Sequence, residues 1–175
     1  GSPNPYWGEY SLNFGTPLCT VALCGTGTGT GPHSGDWWAW FGGVAGFEEG
    51  AVFQELTFLN GTAELSFWFE NFVSGAPDDF ITVFIDDIPV WTYNAGDYLD
   101  GILGYTQIFI DLDAFADGGV HTLGFVSQVF GTDGVSNFFV DDVSITTMAV
   151  PEPSTLALLG IGLAGMGLAR RRKKA

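Results

Sequence analysis

The chain has 175 residues, with 20 Asp and Glu, five Lys and Arg, and a formal net charge of −15 at pH 7. All five basic residues lie at 170–174, so the first 169 residues carry a formal charge of −20. A surface without fixed cations cannot neutralise phosphates, which excludes nucleic acid as a partner and disfavours anionic lipid surfaces. The 16 Phe, six Trp, five Tyr and 26 Gly favour an all-β domain with glycine-rich turns.

Short runs of alternating residues predict a β-sandwich over residues 1–149. The clearest is TAELSFWFE at 62–70, in which every second residue is apolar. The turn Asp87-Ile88-Pro89 is predicted to join two strands in a hairpin. The fold class is all-β, a two-sheet antiparallel β-sandwich (jelly roll) of about nine strands, followed by a single C-terminal hydrophobic helix. The predicted strands are 10–14, 37–41, 52–58, 62–70, 79–86, 90–93, 106–112, 121–129 and 137–145.

Cys19 and Cys24 are the only two cysteines, and four residues separate them. Two cysteines and the distant His33 and His121 do not have the spacing of a zinc finger. In an exported protein the two cysteines are predicted to form a disulfide with a short loop, whereas a cytosolic location would leave two free thiols. The Gly-rich stretch at 24–36 is predicted to be a flexible loop that leads into the next strand.

The sequence contains no recognisable catalytic set. Neither His33 nor His121 lies in a nucleophile motif, and a pair of glycosidase carboxylates cannot be picked out among 20 acids. We therefore predict that the protein is not an enzyme.

The acidic residues of the domain have no Lys or Arg partner there. They must be solvated, bonded to backbone N–H groups, or bound to metal ions, and oxygen-rich clusters suit Ca²⁺. A solvated acidic surface without metal is the alternative. Asp78-Asp79 and Asp86-Asp87 bracket one strand and are predicted to shape its turns. The run 111–118 lacks the EF-hand spacing and is also predicted to be a turn, with at most one helical turn at 113–119.

The run FFVDDVSI at 138–145 places an acid among apolar residues. On a regular strand, Asp141 shares one face with Phe139, Val143 and Ile145. An acid in this position needs a partner, which is either a cation or the backbone amides at a sheet edge.

Trp68 lies on the more polar face of its predicted strand, where it alternates with Glu64, Ser66 and Glu70. An aromatic residue among acids is a candidate glycan contact, a packing surface, or part of a strand covered by a loop. We favour packing and keep Trp68 as the candidate glycan contact.

Residues 150–175 form a second unit with a different composition. The 16 residues at 154–169 carry no charge and would span about 24 Å as a helix, slightly short of a hydrocarbon core of about 30 Å. The basic run then places the acidic domain outside the membrane by the positive-inside rule. This run consists of Arg170, Arg171, Arg172, Lys173 and Lys174.

The order of Val150-Pro151-Glu152-Pro153, an apolar helix and a basic cluster resembles the PEP-CTERM sorting signal of Gram-negative bacteria. The resemblance implies that exosortase, a membrane enzyme, recognises Pro151, Glu152 and Pro153 and cleaves nearby. It also implies export, a transient anchor in the inner membrane, and release to the cell surface or the exopolysaccharide matrix. The basic run then orients the precursor and is not a ligand site. An ordinary C-terminal anchor is the alternative.

Segments at 32–43, 54–56, 63–69, 78–87 and 138–145 resemble jelly-roll surface domains. These include carbohydrate-binding modules and the MAM-like domains of secreted proteins. In such modules an Asp of the last strand often binds a structural Ca²⁺ together with backbone carbonyls of an early loop.

The resemblance to these modules implies calcium ligands at Asp141 and Asp142, with Glu9 as the acid from the N-terminal segment. An Asp141 bonded to backbone amides is the alternative. We therefore expect an exported, non-enzymatic surface or exopolysaccharide-matrix protein with a structural or adhesive role. The alternative is a carbohydrate-binding module for extracellular polysaccharide, and a secreted hydrolase is third.

Overall fold

The computed structural model describes residues 4–27, 29–72, 77–97, 102–131 and 134–149. The predicted C-terminal helix, the motif at 151–153 and the basic run at 170–174 lie outside the described residues. Within these ranges, no helix has the length and apolar character needed to cross a membrane.

The described residues form ten strands in two antiparallel five-stranded sheets, which confirms the predicted sandwich. In chain order the strands are β1 (Gly8–Ser11), β2 (Leu18–Thr20), β3 (Trp37–Gly42), β4 (Glu48–Thr57), β5 (Gly61–Phe72), β6 (Phe80–Ile85), β7 (Ile88–Asn94), β8 (Ile102–Asp111), β9 (Val120–Val129) and β10 (Asn137–Ala149). Sheet I has the order β1-β4-β9-β6-β7, and sheet II has the order β2-β3-β10-β5-β8. The short helical elements are α1 (Val21–Cys24) and the 3₁₀ turns Ala95–Asp97 and Asp113–Phe115.

The core lies between the two sheets and follows the alternation that predicted β5. Leu65, Phe67 and Phe69 point into it and are fully buried. Phe67 packs edge-on against Phe125 of sheet I, with ring centroids 5.2 Å apart. Burial of each such side chain contributes roughly 1.5–3 kcal/mol to folding.

The N-terminal strands differ from the prediction. Strand β1 covers Gly8–Ser11, whereas the prediction was 10–14, because residues 12–15 form a turn. Strand β2 was not predicted, since three residues with one buried side chain carry little periodic signal.

The turn of the predicted hairpin lies one residue earlier than expected. Asp86 and Asp87 occupy it with positive φ angles of 49° and 65°, and Ile85 pairs with Ile88. Two positive φ angles fit the two-residue turns that join antiparallel strands, and Asp tolerates them better than most residues. Pro89 lies in β7, an edge strand, where a missing N–H is tolerated.

Gly42 ends β3 at a position that only glycine fits. Its φ is +83°, and a Cβ there would lie 2.2 Å from the carbonyl oxygen of Ser136. The same carbonyl accepts a hydrogen bond from Gly43 N at 2.9 Å. The close approach anchors the segment that leads into β10.

The predicted disulfide joins Cys19 and Cys24, with Cα atoms 5.7 Å apart. Its loop contains α1, a single helical turn that was not predicted. Thr20 caps this turn by accepting a hydrogen bond from Leu23 N at 3.3 Å. Cys19 is buried beside Trp38 on the outer face of sheet II.

Candidate functional site: a cleft beside the Asp141–Asp142 bulge

The Gly-rich loop lies against the outer face of sheet II. Thr30 donates its backbone N–H and its hydroxyl to Glu70 Oε2, at 3.1 and 2.9 Å. The buried Glu70 carboxylate also accepts Gly104 N at 2.9 Å. Tyr105 donates its hydroxyl to Gly31 O at 2.8 Å. These described parts of the loop are therefore bonded to the sheet, although the sequence predicted flexibility.

A β-bulge interrupts β10 where the sequence reads Asp-Asp. The register with β5 shifts between Asp141 and Ser144, and Asp142 has a positive φ of 48°. The bulge moves the side chains that follow it to the opposite face. Val143 and Ile145 consequently pack on the main core, whereas Phe139 belongs to the outer cluster of sheet II. The predicted common face of Asp141, Val143 and Ile145 is wrong for this reason.

The bulge holds Asp141 with backbone amides. Its Oδ2 accepts His33 N at 2.7 Å and Ser34 N at 3.2 Å, and its Oδ1 accepts Asp142 N at 2.7 Å. Burial raises the pKa of Asp141 above its ordinary value, although these amides act in the opposite direction. The backbone-amide arrangement considered from the sequence is therefore present at Asp141.

Asp142 is bonded to the side chains of the same two loop residues. Ser34 donates its hydroxyl to Oδ1 at 2.5 Å, and His33 Nδ1 lies 2.6 Å from Oδ2. The Ser34 bond and then the His33 bond lower the pKa of Asp142. About a third of the Asp142 side chain stays exposed, so its carboxylate also faces solvent.

Trp68 lies under the Gly-rich loop. The His33 ring stacks on it with centroids 3.9 Å apart and an angle of 17° between the planes. Tyr105 meets His33 edge-on at 5.2 Å. One face of Trp68 is therefore occupied by this chain's own histidine, which fits the covered-strand reading.

Glu9 does not join the two aspartates of the bulge. It lies on β1 in sheet I, and its Oε2 accepts the Thr16 hydroxyl at 2.7 Å. In the part of the chain that the structure describes, no three His, Cys, Asp or Glu side chains are grouped to hold a metal ion. A calcium ion at Asp141, Asp142 and Glu9 stays a prediction.

A cleft of about 520 Å³ opens beside the bulge, between the N-terminal segment and β3. Its apolar walls include Tyr6, Trp7 and Trp37, and its polar rim includes Asn4 and Asp142. Tyr6 is 73% exposed and Trp37 is 39% exposed, although both are large aromatic residues. Exposed aromatic faces next to hydrogen-bonding groups are a typical ligand-binding surface.

An Asx turn holds the N-terminal wall of this cleft. Asn4 Oδ1 accepts Tyr6 N at 3.0 Å and Trp7 N at 3.3 Å, and Asn4 Nδ2 donates to Trp7 O at 3.0 Å. Trp7 packs edge-on against Phe125 of the core at 6.4 Å. The aromatic wall is therefore attached to the sandwich. Tyr6 was not named from the sequence, although an Asn two residues before an aromatic pair is a signal for such a turn, and Trp37 was assigned to a strand and not kept as a glycan contact.

A second cluster surrounds His121, near the start of β9. Its Nδ1 lies 2.5 Å from Asp86 Oδ2, and its Nε2 lies 3.0 Å from Asp117 Oδ1. The Phe58 ring packs beside the imidazole at 5.0 Å. This cluster was not predicted, because only Lys and Arg were considered as ion-pair partners of the acidic residues.

Comparison with known proteins identifies the C-terminal segment. Residues 149–173 match the family model of the PEP-CTERM protein-sorting motif. The chain carries a PEP-CTERM sorting motif. This motif implies an exported protein with a surface or extracellular location. No curated protein sequence matches the chain.

Solved structures share the fold of the sandwich. The carbohydrate-binding module TmCBM61, solved with β-1,4-galactotriose, aligns with a TM-score of 0.52 at 13% identity over 81% of this chain and 88% of that chain. The K2 cleaved adhesin domain of Lys-gingipain aligns with a TM-score of 0.54 at 11% identity over 85% and 92%. The K1 domain of Lys-gingipain from Porphyromonas gingivalis W83 has a TM-score of 0.54 at 12% identity over 83% and 93%. At these identities the likeness is one of fold.

Proposed function

We propose that this exported protein binds extracellular polysaccharide through the cleft beside the bulge. The observation that carries the proposal is the exposure of Tyr6 and Trp37 in one cleft with Asn4 and Asp142. A sugar ring has an apolar face that packs on aromatic side chains, and hydroxyls that bond to amides and carboxylates. The fold likeness to a carbohydrate-binding module supports this reading.

The charge of the domain narrows the class of polysaccharide. The first 169 residues carry no Lys or Arg, and Asp141 and Asp142 line the cleft. A polyuronate or sulfated glycan would meet only like charge there. We therefore propose a neutral polysaccharide as the ligand.

The experiment measures binding of the full chain to neutral and acidic glycans on an array, followed by titration calorimetry on those bound. We expect Trp37→Ala and Tyr6→Ala each to weaken binding by about tenfold, which is about 1.4 kcal/mol and similar to one aromatic contact. Phe109→Ala is the matched control, because Phe109 is 59% exposed on β8 and does not line the cleft. Equal loss in all three variants, or preferred binding of acidic glycans, contradicts the proposal.

A structural or adhesive role is the second candidate, favoured by an exposed apolar surface near the disulfide loop. Phe14 is 61% exposed and Leu23 is 68% exposed, and both line a second cleft with Trp40. An apolar surface of this kind fits contact with another protein. Concentration-dependent association of the full chain that Leu23→Ser abolishes, without any glycan binding, would favour this role.

We also propose that exosortase processes the C-terminal segment after the helix has anchored the precursor in the inner membrane. The PEP-CTERM match supports this step, and the absence of charge at 154–169 fits a transient anchor. Intact mass of the protein recovered from the cell surface of a producing Gram-negative host is expected to show loss of the basic run. Recovery of the full-length chain at the surface contradicts processing.

A further inference from the structure

Four buried oxygen atoms have no hydrogen-bond partner among the described residues. They are Asn71 Oδ1, Asp79 Oδ2, Ser127 Oγ and Ser136 Oγ. Each of the four residues is at most 1% exposed. A buried polar atom without a partner costs roughly 1–3 kcal/mol, and more for a charged group. Such atoms therefore indicate a water molecule or an ion that they bind.

Two of these residues come from neighbouring strands of sheet I. Ser127 pairs with Ile81 on β6, and Asp79 stands just before β6. Asp79 Oδ1 accepts Phe130 N at 2.7 Å, which fixes the carboxylate beside the end of β9. Asp79 and Ser127 therefore lie near the same end of the core, about two residues apart along their strands.

The other two come from sheet II. Asn71 pairs with Phe138 at the end of β5, and Ser136 stands two residues before Phe138. Asn71 Nδ2 donates to Tyr93 Oη at 2.9 Å. Tyr93 pairs with Ile81, the same residue that pairs with Ser127. The Asn71 amide thus contacts sheet I through the side chain of Tyr93, whose backbone lies level with Ser127.

The chemistry of these four groups favours a cation over water alone. One carboxylate, one amide carbonyl and two hydroxyls are hard oxygen ligands, the kind that Ca²⁺ prefers. The Asp79 carboxylate is buried, and the first 169 residues contain no Lys or Arg to neutralise it. Burial of an unpaired charge is far more costly than burial of a neutral polar group, so a buried carboxyl group either takes up a proton or binds a cation. The three uncharged oxygen groups without a partner favour the cation, because one Ca²⁺ ion takes six to eight oxygen ligands.

We propose that Asp79, Asn71, Ser127 and Ser136 form an internal Ca²⁺ site that closes one end of the sandwich. The site is separate from Asp141, Asp142 and Glu9, where the sequence resemblance placed calcium. It goes beyond the proposed sugar cleft, because none of its four residues lines that cleft. The role of the ion is to tie sheet I to sheet II.

The test uses the full chain, stripped with a chelator, reloaded with Ca²⁺ and desalted. Elemental analysis is expected to find a single bound calcium ion, and Ca²⁺ is expected to raise the melting temperature by several degrees more than Mg²⁺ at equal ionic strength. Asp79→Asn is expected to abolish calcium binding, and with it the difference between the melting temperatures in Ca²⁺ and in Mg²⁺. Asp78→Asn is the matched control, because it removes the same charge from the neighbouring exposed residue and should keep both.

A second variant keeps the test decisive if Asp79→Asn fails to fold. Ser127→Ala removes only a hydroxyl that has no described partner, so the calcium-free protein should melt at an unchanged or higher temperature. Its calcium affinity should fall about tenfold. The proposal is overturned if the reloaded chain retains no calcium, if Asp141→Asn rather than Asp79→Asn loses the ion, or if Ser127→Ala leaves the affinity unchanged.

Discussion

Replacement of His121 by Gln removes the charge from a histidine that two carboxylates surround. The His121 side chain is 10% exposed, and its two ring nitrogens face Asp86 and Asp117. Only the protonated ring can donate from both nitrogens. The hydrogen bonds to Asp86 and then Asp117 raise the pKa of His121. The contact joins β9 to the β6–β7 turn and to the segment before β9.

The pH dependence follows from the directions of these shifts. A raised native pKa means that His121 stabilises the fold fully below its unfolded pKa of about 6.5, and that this contribution is lost as pH rises through the native value. The pKa of Asp86 is lowered, chiefly by the Thr122 amide and then by His121. The pKa of Asp117 is lowered, chiefly by His121. The two aspartates therefore stabilise the fold above about pH 4, and this stabilisation is lost as pH falls through their lowered native pKa values.

The magnitude rests on the Asp86 contact alone, because Asp117 is largely exposed and water screens that bond. A hydrogen bond to a charged group contributes about 1.5–3 kcal/mol when buried. The Asp86 side chain is 42% exposed, which reduces the expected loss in His121→Gln to about 1–2 kcal/mol near pH 6. For a domain of this size the melting temperature should fall by about 3–6 °C.

Thermal melts of the full chain followed by circular dichroism, from about pH 5 to pH 9, measure this difference. We expect the gap between the unmodified protein and His121→Gln to be largest near pH 5–6 and to shrink at alkaline pH. Asp87→Asn is the matched control in the same turn and should show no such narrowing. A gap of constant size over this range, or an NMR titration of His121 at or below the ordinary pKa, refutes the reasoning.

Three further predictions concern the fold. Replacement of Cys19 and Cys24 by Ala should lower the free energy of unfolding by about 2 kcal/mol on the chain-entropy model, since the closed loop is short. Calorimetry measures this loss, and a loss near zero contradicts the prediction. Gly42→Ala should lower the melting temperature sharply in the same calorimetric scans. Gly35→Ala, also at positive φ but in open space, should lower the free energy of unfolding by only about 1–2 kcal/mol. Deletion of 150–175 should leave a folded domain with an unchanged β-type circular dichroism spectrum, and loss of a cooperative melt would contradict this.

The sequence predicted the strands well where one face is buried. Strand β5 is the clearest case, because every second side chain from 63 to 69 is buried and the sequence shows the same alternation of apolar residues. The bulge in β10 has no such signal. Its position depends on the turn in the Gly-rich loop that supplies the amides of His33 and Ser34 to Asp141, more than 100 residues away. A regular period of two therefore misplaced Val143.

The two-residue turn and the buried Asp79 show a second limit. Asp78-Asp79 and Asp86-Asp87 look alike in sequence, and both pairs were predicted to shape turns. Asp86-Asp87 does so, with two positive φ angles. Asp79 instead points into the end of the core and is 1% exposed. The difference comes from the alternation of β6, which puts Asp79 on the face of Ile81.

The candidate site could be predicted only in part because its walls come from distant segments. Asp142 was named from the sequence as a candidate ligand, whereas Tyr6 was not and Trp37 was kept only as part of a strand, and only the fold brings the three to one cleft. The loop that orients Asp142 through His33 and Ser34 is also the loop that covers Trp68. The stacking position on Trp68 is thus taken by the interaction that builds the polar rim of the cleft. Because these contacts cover one face of Trp68 on the outer face of sheet II, we place the proposed sugar-binding surface at Tyr6 and Trp37, in the cleft at the edge of the sandwich.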